Sequence, residues 1–207
     1  MLELIKKTTN AFFRRFINQK NRQRLLNHNM SVIASNCAGA FILHDLGQKF
    51  NSPFVNLYLE PADFIKYLTD IEHYRQAKLR FLQNERHYPV AMLDDIRIYF
   101  MHYHSEQEAA AKWYERSARL NSDNLFIIMT DRDGCTYQDL LNFDRLPFKN
   151  KVVFTHKPYP EIKSAFHIHG FEKQTQVGDV FAYTGMLGRK YYDQFDYVAW
   201  FNGERMI

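Results

Sequence analysis

The residues best suited to nucleophilic chemistry lie in one short turn of this 207-residue chain. Ser35, Asn36 and Cys37 separate an apolar run at residues 30–34 from a helical stretch at residues 38–46. Ligands of open α/β sheets bind beyond the carboxyl ends of the strands, where the next helix presents free N–H groups and its positive dipole end. A thiol there has a lowered pKa. The turn therefore predicts a nucleophile, Cys37, with Ser35 and Asn36 as hydrogen-bonding partners of a bound cofactor; a small buried thiol is the alternative.

Two histidine pairs could supply a base or hold a metal. His102 and His104 end a predicted strand at residues 96–103, and a strand places residues two apart on one face. Such a pair can bind zinc or iron, or one imidazole can act as general base. His167 and His169 repeat the spacing. Polar rims at strand ends are the alternative.

Two further pairs suggest cofactor or metal binding. Asp131 and Asp133 follow an apolar strand, as do paired acids that hold a divalent metal, although the same residues with Gly134 also make a good turn. Lys112 and Arg116 lie four apart on a helix that begins at a capping box of Ser105 and Glu108. If these cations face the cleft, they would bind an acidic cofactor; otherwise they are solvated or paired with acids.

The elements that must position these residues alternate between strands and helices. This order predicts an α/β fold, a single three-layer domain over residues 28–207 with a mixed, mainly parallel sheet. Strands are predicted at residues 30–34, 54–59, 89–93, 96–103, 125–130, 151–155 and 180–183. Helices are predicted at residues 38–46, 73–82, 137–143 and 187–194, with others starting at residues 61 and 105 and a final apolar piece at 197–201.

Residues 1–27 form a predicted basic amphipathic helix. The chain has a net charge of +4, of which this segment carries +6 and the remainder −2. Ile5, Phe12, Phe13 and Phe16 fall near one helical face, with Leu2 and Ile17 beside them, and cations on the other. Such a helix can lie on an anionic membrane surface. The alternative is a helix that packs its Phe side against the body and leaves its cations in solvent. Residues 28–207 show no basic stripe, so a nucleic-acid partner is not expected.

Composition sets the class of protein. Hydrophobic residues make up 46% and charged residues 24%, with 8 Gly and 6 Pro, which is typical of a soluble globular chain and excludes collagen-like and low-complexity classes. No apolar run approaches the roughly 20 residues of a membrane-spanning helix, and the start lacks a secretory signal. Two cysteines are too few for a disulfide framework, so a cytoplasmic protein is expected, peripheral at the inner membrane face if the helix binds there.

Many short pieces of the sequence together carry a resemblance to a known family. They are Ile-Ala-Ser-Asn-Cys-Ala-Gly at 33–39, His-Asp-Leu-Gly at 44–47, Asn-Ser-Pro at 51–53, Asp-Phe-Ile-Lys-Tyr-Leu at 63–68, His-Tyr-His-Ser at 102–105, Lys-Trp at 112–113, Asn at 121, Asn-Leu at 124–125, Phe-Asp-Arg-Leu-Pro at 143–147 and Asn-Lys at 150–151. With these pieces the chain resembles a bacterial family of unknown function, DUF1919, whose members are often labelled exopolysaccharide biosynthesis proteins or acetyltransferases. The resemblance covers nearly all of residues 30–201 and leaves residues 1–27 outside. The family implies an α/β fold and a role in surface-polysaccharide synthesis.

A second resemblance rests on Asn36 and Cys37 alone, which are similar to the Gly-Asn-Cys turn of a capsule-biosynthesis acyltransferase family that binds coenzyme A. We therefore expect an acyl transferase of surface-polysaccharide assembly that moves an acyl group from a coenzyme A thioester to the hydroxyl of a carbohydrate or lipid-linked glycan. Cys37 would act with His102 or His104, and Ser35, Asn36, Lys112 and Arg116 would bind the cofactor. The alternatives are a metal-dependent glycosyltransferase or hydrolase built on Asp131, Asp133 and the histidines, and a non-catalytic glycan-binding or assembly protein.

Overall fold

The computed structural model describes residues 2–204, except for the side chains of Leu2 and Leu4. The helices are α1 (Leu2–Arg24), α2 (Ala38–Leu46), α3 (Pro61–Thr69), α4 (Ile71–Gln76), α5 (Glu106–Ser117), α6 (Tyr137–Arg145) and α7 (Tyr197–Phe201). The strands are β1 (Ser31–Ala34), β2 (Leu79–Leu82), β3 (Val90–Leu93), β4 (Ile96–Tyr99), β5 (Leu125–Thr130), β6 (Lys151–Thr155) and β7 (Ala165–His167).

The strands form two separate sheets. The central one has the order β1-β5-β6-β7, and all of its strands are parallel. The other has the order β2-β3-β4 and is antiparallel, with a tight β3–β4 turn at Asp94, whose φ is 58°. The predicted α/β class with a mainly parallel sheet is confirmed, and the antiparallel strands account for its mixed character.

The central sheet is buried on both faces, which gives the three predicted layers. Alternate residues of a strand point to opposite faces. On β5, Ile127 and Met129 join the core beneath α3 and α6, whereas Phe126 and Ile128 join the core beneath α2 and α7. Because each face packs on a core, the residues on both faces are apolar, and the parallel strands appear in the sequence as continuous apolar runs.

Helix α1 packs against α2 and α7 through a polar side. The guanidinium of Arg14 is buried, 2.7 Å from Asp45 and 2.5 Å from Asp193. The side chain of Asn10 accepts a hydrogen bond from the N–H of Gly188, at 2.8 Å. Phe12 and Phe16 are 55% and 56% exposed. The alternative of a helix with its Phe side packed on the body is therefore wrong. The predicted apolar contribution of the Leu2 side chain lies outside the described residues.

Several predicted elements are wrong where tertiary pairing overrides local pattern. Residues 73–82 are not one helix, because α4 ends at Gln76 and β2 pairs with β3. Residues 54–59 contribute a single bridge, Tyr58 to Tyr99, and residues 180–183 another, Tyr183 to Lys190. Residues 187–194 are mostly a loop that ends in a 3-10 turn, Tyr191–Gln194. Within residues 2–204, none of the helices combines the length and apolar character needed to cross a bilayer.

Candidate functional site

A cavity of about 410 Å³ opens at the carboxyl-terminal edge of the central sheet. Because the four strands are parallel, the segments after β1, β5, β6 and β7 meet at this edge. The cavity lies over the ends of β1 and β5. Its lining brings a thiol and an imidazole together with charged and aromatic groups: Asn36, Cys37, Phe41, Tyr58, Tyr88, Met101, His102, Arg132, Asp133, Asp179 and Phe181.

The turn between β1 and α2 is held by Asn36. Its side-chain amide donates to the hydroxyl of Thr130 at 2.7 Å, and its side-chain oxygen accepts from the N–H of Ala38 at 3.1 Å. One side chain thus connects the ends of β1 and β5 and caps the start of α2. Close packing of α2 on β1 needs Gly39, since a Cβ there would lie 2.7 Å from the Cβ of Ala34. The helix start is therefore fixed over the sheet edge.

Ser35 is buried and contributes its backbone. Its N–H donates to Ile128 at 3.0 Å, and its carbonyl accepts from Leu59 at 3.0 Å. Its side chain is not part of the cavity lining. Ser35 positions the turn and does not contact the cavity.

Cys37 lies at the predicted place, directly before α2, and lines the cavity. Burial raises the pKa of its thiol, an effect that Arg132 opposes and Asp179 and Asp133 reinforce. The expected lowering of the Cys37 pKa is therefore wrong. A thiol in this environment is protonated near neutral pH, so any nucleophilic role requires a base.

The structure separates the two predicted bases. Strand β4 ends at Tyr99, so residues 102–104 form a turn and strand alternation does not place both imidazoles on one face. His102 lines the cavity, and its backbone N–H donates to Asn56 at 3.3 Å. His104 is exposed outside the cavity lining, and its backbone N–H donates to Glu108 at 3.1 Å. Of the two, His102 is the base that shares a cavity with Cys37.

A charged trio forms the polar wall. Arg132 donates to Asp179 at 2.7 Å and lies 3.5 Å from Asp133. One cation and two carboxylates carry a net charge of −1. Asp133 has a left-handed backbone, with φ of 60°, in the turn after β5. The trio offers hydrogen-bond acceptors, and its guanidinium is already paired.

Aromatic rings form another part of the lining. Phe41 stacks on Phe181 with 4.2 Å between ring centroids, and Tyr58 stacks on Tyr99 at 4.4 Å. Tyr88 accepts a hydrogen bond from Arg86 at 2.7 Å. Flat apolar faces next to a few polar groups are typical of pockets for ring-shaped ligands.

The other predicted cofactor residues lie away from this cavity. Lys112 is paired with Glu115 at 2.9 Å on the exposed side of α5. Arg116 donates to the hydroxyl of Tyr103 at 2.6 Å and lies over the ring of Phe50. Lys112 is therefore paired with an acid, as in the alternative weighed from the sequence, whereas the partners of Arg116 are a tyrosine hydroxyl and an aromatic ring.

The predicted pair of metal-binding acids has two different environments. Asp131 is buried, and its carboxylate accepts from both the N–H and the Nδ1 of His156, at 2.9 and 2.5 Å, and from the N–H of Val177 at 2.7 Å. These bonds tie the ends of β5 and β6 to the segment at residue 177. Asp133, by contrast, lines the cavity.

A larger cavity, about 660 Å³, opens at the opposite edge of the sheet. It is lined by Lys149, Lys151 and Lys163 with apolar residues, and its described lining contains neither cysteine nor histidine. It also lies at the amino ends of β6 and β7, whereas ligands of parallel sheets bind at the carboxyl ends. We therefore assign the candidate site to the smaller cavity.

Sequence reasoning missed most of the cavity wall. Arg132 directly follows β5, the neighbour of β1, and this position at a strand end was the one sequence feature that could have indicated its place in the cavity. Asp179 and Phe181 come from a segment without regular structure, Tyr58 from the segment between α2 and α3, and Tyr88 from the loop before β3. No local pattern brings these residues together.

The comparisons with known proteins agree with the family resemblance. The sequence model described as "Domain of unknown function (DUF1919)" matches residues 8–202. A Haemophilus influenzae protein described as uncharacterized is 61% identical over 198 residues, which cover 96% of each chain. The family match begins inside α1, so the expectation that residues 1–27 lie outside the resemblance is wrong for residues 8–27.

Proposed function

This chain belongs to the DUF1919 family, and for it we propose acyl transfer from a coenzyme A thioester to a sugar hydroxyl, as a step of surface-polysaccharide synthesis. The observation that supports it is a single cavity lined by a thiol, an imidazole, a carboxylate-rich wall and stacked aromatic rings.

The acceptor sugar occupies the cavity beside the charged trio and the aromatic rings. Its ring stacks on the aromatic side, and its hydroxyls donate to Asp133 and Asp179. The net charge of −1 disfavours a diphosphate at this point, which argues for a neutral carbohydrate here. The phosphates of the donor therefore extend toward solvent, and Lys112 and Arg116 take no part.

The transfer runs in two steps that share one base. His102 takes the proton of the Cys37 thiol while the sulfur of Cys37 attacks the thioester carbonyl carbon. The bond between this carbon and the sulfur of coenzyme A then breaks, and His102 gives the proton to the departing coenzyme A thiolate. In the second step His102 takes the proton of the sugar hydroxyl, the oxygen attacks the acyl carbon, and Cys37 leaves and recovers the proton. The start of α2 stabilises the oxyanion of each step.

The first experiment mixes the protein with acetyl-coenzyme A and a panel of oligosaccharides. We expect acetyl-coenzyme A alone to add one acetyl group at Cys37 by mass, and Cys37→Ala to abolish both this adduct and transfer. His102→Gln should lower kcat by about 10²–10⁴-fold. His104→Gln is the matched control, with kcat unchanged.

The other outcomes identify the alternatives. Full transfer activity in Cys37→Ala would show that Cys37 is not the nucleophile. The sugar hydroxyl would then attack the thioester directly, with His102 still as base. A rise in thermal stability only with a nucleotide sugar and Mn²⁺ would favour a metal-dependent glycosyltransferase. Glycan binding without turnover, unaffected by Cys37→Ala, would favour a glycan-binding protein.

A membrane partner is supported separately by α1. Because the helix docks through Asn10 and Arg14, it turns Ile5, Phe12 and Phe16 outward, each at least half exposed. The exposed cations beside them are Lys6, Lys7, Arg15 and Lys20. An apolar strip bordered by cations suits the surface of an anionic bilayer. We propose that α1 holds a cytoplasmic protein at the inner membrane face, near lipid-linked glycans.

Vesicle co-sedimentation tests this partner. We expect binding to vesicles with anionic phosphatidylglycerol, weaker binding to neutral phosphatidylcholine, and release at high salt. Phe12→Ser with Phe16→Ser should abolish binding. Tyr137→Ser, a change at an exposed aromatic residue of α6, is the control and should leave binding intact. Equal binding by the double variant would contradict the proposal.

A further inference from the structure

A second group of metal-ligating side chains lies where β7 ends. His167 is the last residue of β7, and His169 and Glu172 follow in the next loop. Each offers one ligand atom, and the three atoms all lie within 4.8 Å of one another. The cavity lies over β1 and β5, and β7 is two strand spacings from β5 and three from β1, about 10 and 14 Å. None of the three residues lines the cavity. The cluster is therefore a separate site.

The carboxylate lies at a metal-like distance from each imidazole. The Oε1 of Glu172 is 3.7 Å from the Nε2 of His167 and 3.4 Å from the Nδ1 of His169. Ligands at about 2.0–2.1 Å from a tetrahedral zinc are about 3.4 Å apart. Two of the three distances are therefore close to those of a zinc site, and all three ligand atoms lie within 4.8 Å of one another.

One of these atoms is buried and unsatisfied. The Nε2 of His167 has no hydrogen-bond partner among the described residues, although it is shielded from solvent. An unpartnered buried polar atom is destabilising, because it has lost its hydrogen bonds to water without gaining a partner in the protein. The contact with Glu172 at 3.7 Å is too long for a hydrogen bond. A metal ion would use the lone pair of this nitrogen.

The backbone that carries the ligands is fixed in advance. The N–H of Ile168 donates to Thr155 at 2.9 Å, which continues the β6–β7 ladder past its last paired residue. The N–H of His169 donates to the side chain of Gln194 at 2.9 Å, and that side chain donates back to the carbonyl of His169 at 3.0 Å.

The carboxylate is oriented as well. The N–H of Gly170 donates to both oxygens of Glu172 at 3.0 Å. Gly170 has φ of 110°, a conformation that L side chains rarely adopt, and this lets the loop turn back toward His169. Hydrogen bonds that orient a ligating carboxylate are a usual feature of metal sites.

We propose that His167, His169 and Glu172 bind one divalent transition-metal ion, Zn²⁺ in the first instance. Two imidazoles and one carboxylate form a three-ligand set that leaves a coordination position open to water. His169 is 75% exposed at its side chain, so the open position faces solvent. The site does not depend on the acyl transfer proposed for the cavity.

Equilibrium dialysis of the tag-free protein against ZnCl₂, followed by elemental analysis, tests the site. We expect one Zn²⁺ per chain, and dissociation constants raised at least about tenfold by His169→Ala and by Glu172→Gln. His169 is exposed, and Gln at position 172 keeps an oxygen for the N–H of Gly170, so both variants should fold. His87→Ala, which removes an exposed histidine elsewhere, is the matched control.

Two results would overturn the proposal. One is wild-type protein that holds no zinc at concentrations where a three-ligand site is filled. The other is a zinc dissociation constant that is the same in His169→Ala, Glu172→Gln and His87→Ala. That result would place the ion on other residues. Circular dichroism of each variant verifies that any loss of zinc is not a loss of folding.

Discussion

At the scale of single residues, the state of Cys37 depends on a balance between burial and three neighbouring charges. Burial raises the pKa of the thiol, Arg132 lowers it, and Asp179 and Asp133 raise it further. The second cysteine, Cys135, is also half-buried, and loss of solvent contact and the nearby Asp139, Asp131 and Asp133 raise its pKa to about 12. Since the thiolate is the reactive form, the two cysteines should both be slow nucleophiles in the resting protein.

Alkylation rates test the charge balance at Cys37. Asp179→Asn removes an anion and releases Arg132 from its ion pair, so the Cys37 pKa should fall and iodoacetamide should react faster near pH 8. Arg132→Ala removes the cation and should slow the reaction. Peptide mass spectrometry measures the alkylation of both cysteines in one sample, and an unchanged alkylation rate at Cys135 is the internal control. The same Cys37 rate in both variants would contradict the proposed electrostatics.

At the scale of elements, α1 is attached by a buried network of charges. Asp45 on α2 accepts hydrogen bonds from Arg14 at 2.7 Å and Lys190 at 2.8 Å, and from the hydroxyl of Tyr192. Asp193 accepts a second bond from Arg14 at 2.5 Å. Removal of Arg14 takes one buried cation away from two largely buried carboxylates, and the loss of such a countercharge costs more free energy than the intact ion pair contributes. The polar side of α1 is therefore the side that fixes its orientation.

Neighbouring arginines on α1 provide a matched test. Arg14→Ala should lower the free energy of unfolding by about 3–5 kcal/mol, which corresponds to a fall in Tm of about 10 °C. Arg15 is exposed, and Arg15→Ala should change stability by less than about 0.5 kcal/mol. Urea unfolding measures both. Equal effects of the two substitutions would show that α1 is not docked through Arg14.

The packing of α2 on β1 makes a second prediction at this scale. In a helix, Gly→Ala ordinarily stabilises, because glycine loses more backbone entropy on folding. At Gly39 the added methyl group would overlap Ala34, so Gly39→Ala should destabilise by about 1–3 kcal/mol. Gly185→Ala is the control, since a Cβ there meets nothing within 4 Å. A higher Tm for Gly39→Ala than for the wild-type protein would contradict the overlap with Ala34.

At the scale of the whole molecule, the network around Asp45 determines part of the acid stability. Burial alone would raise the Asp45 pKa, but hydrogen bonds from Lys190 and Tyr192 and the charge of Arg14 outweigh it and lower the pKa to about 2 from 3.8. A folded-state pKa below the unfolded one stabilises the fold above the unfolded pKa. That contribution is lost as the pH falls through the folded value.

We therefore expect the free energy of unfolding to decrease between about pH 4 and pH 2 through Asp45. NMR titration of the Asp45 carboxyl carbon in the wild-type protein measures the pKa directly, and urea unfolding across this range measures the stability. Asp45→Asn should be less stable at pH 7 and should depend less on pH in this window. A titration midpoint near 4 would contradict the prediction.

Elements with a strong local pattern could be predicted from the sequence. Residues 38–46 and 151–155 match α2 and β6, since an apolar periodicity is bounded in each by turn residues. The capping serine Ser105 accepts from the N–H of Glu108 as expected, at 3.1 Å. Residues 79–82 could not be predicted as a strand, because their pairing with β3 depends on contacts across the chain and not on their own pattern.

The α/β class and the place of Cys37 follow from the amino-acid sequence alone, because a strand, a turn and a helix in succession are local features. The sequence also indicates that α1 has a charged and an apolar side. Which side of α1 faces the body depends on long-range contacts, since Asp45 and Asp193, the partners of Arg14, lie 31 and 179 residues away. The same holds for the shared cavity of Cys37 and His102, because these residues come from different parts of the fold, 65 residues apart in the chain. The cluster of His167, His169 and Glu172 is different, since its members lie within six residues and the spacing of the two histidines is already visible in the sequence.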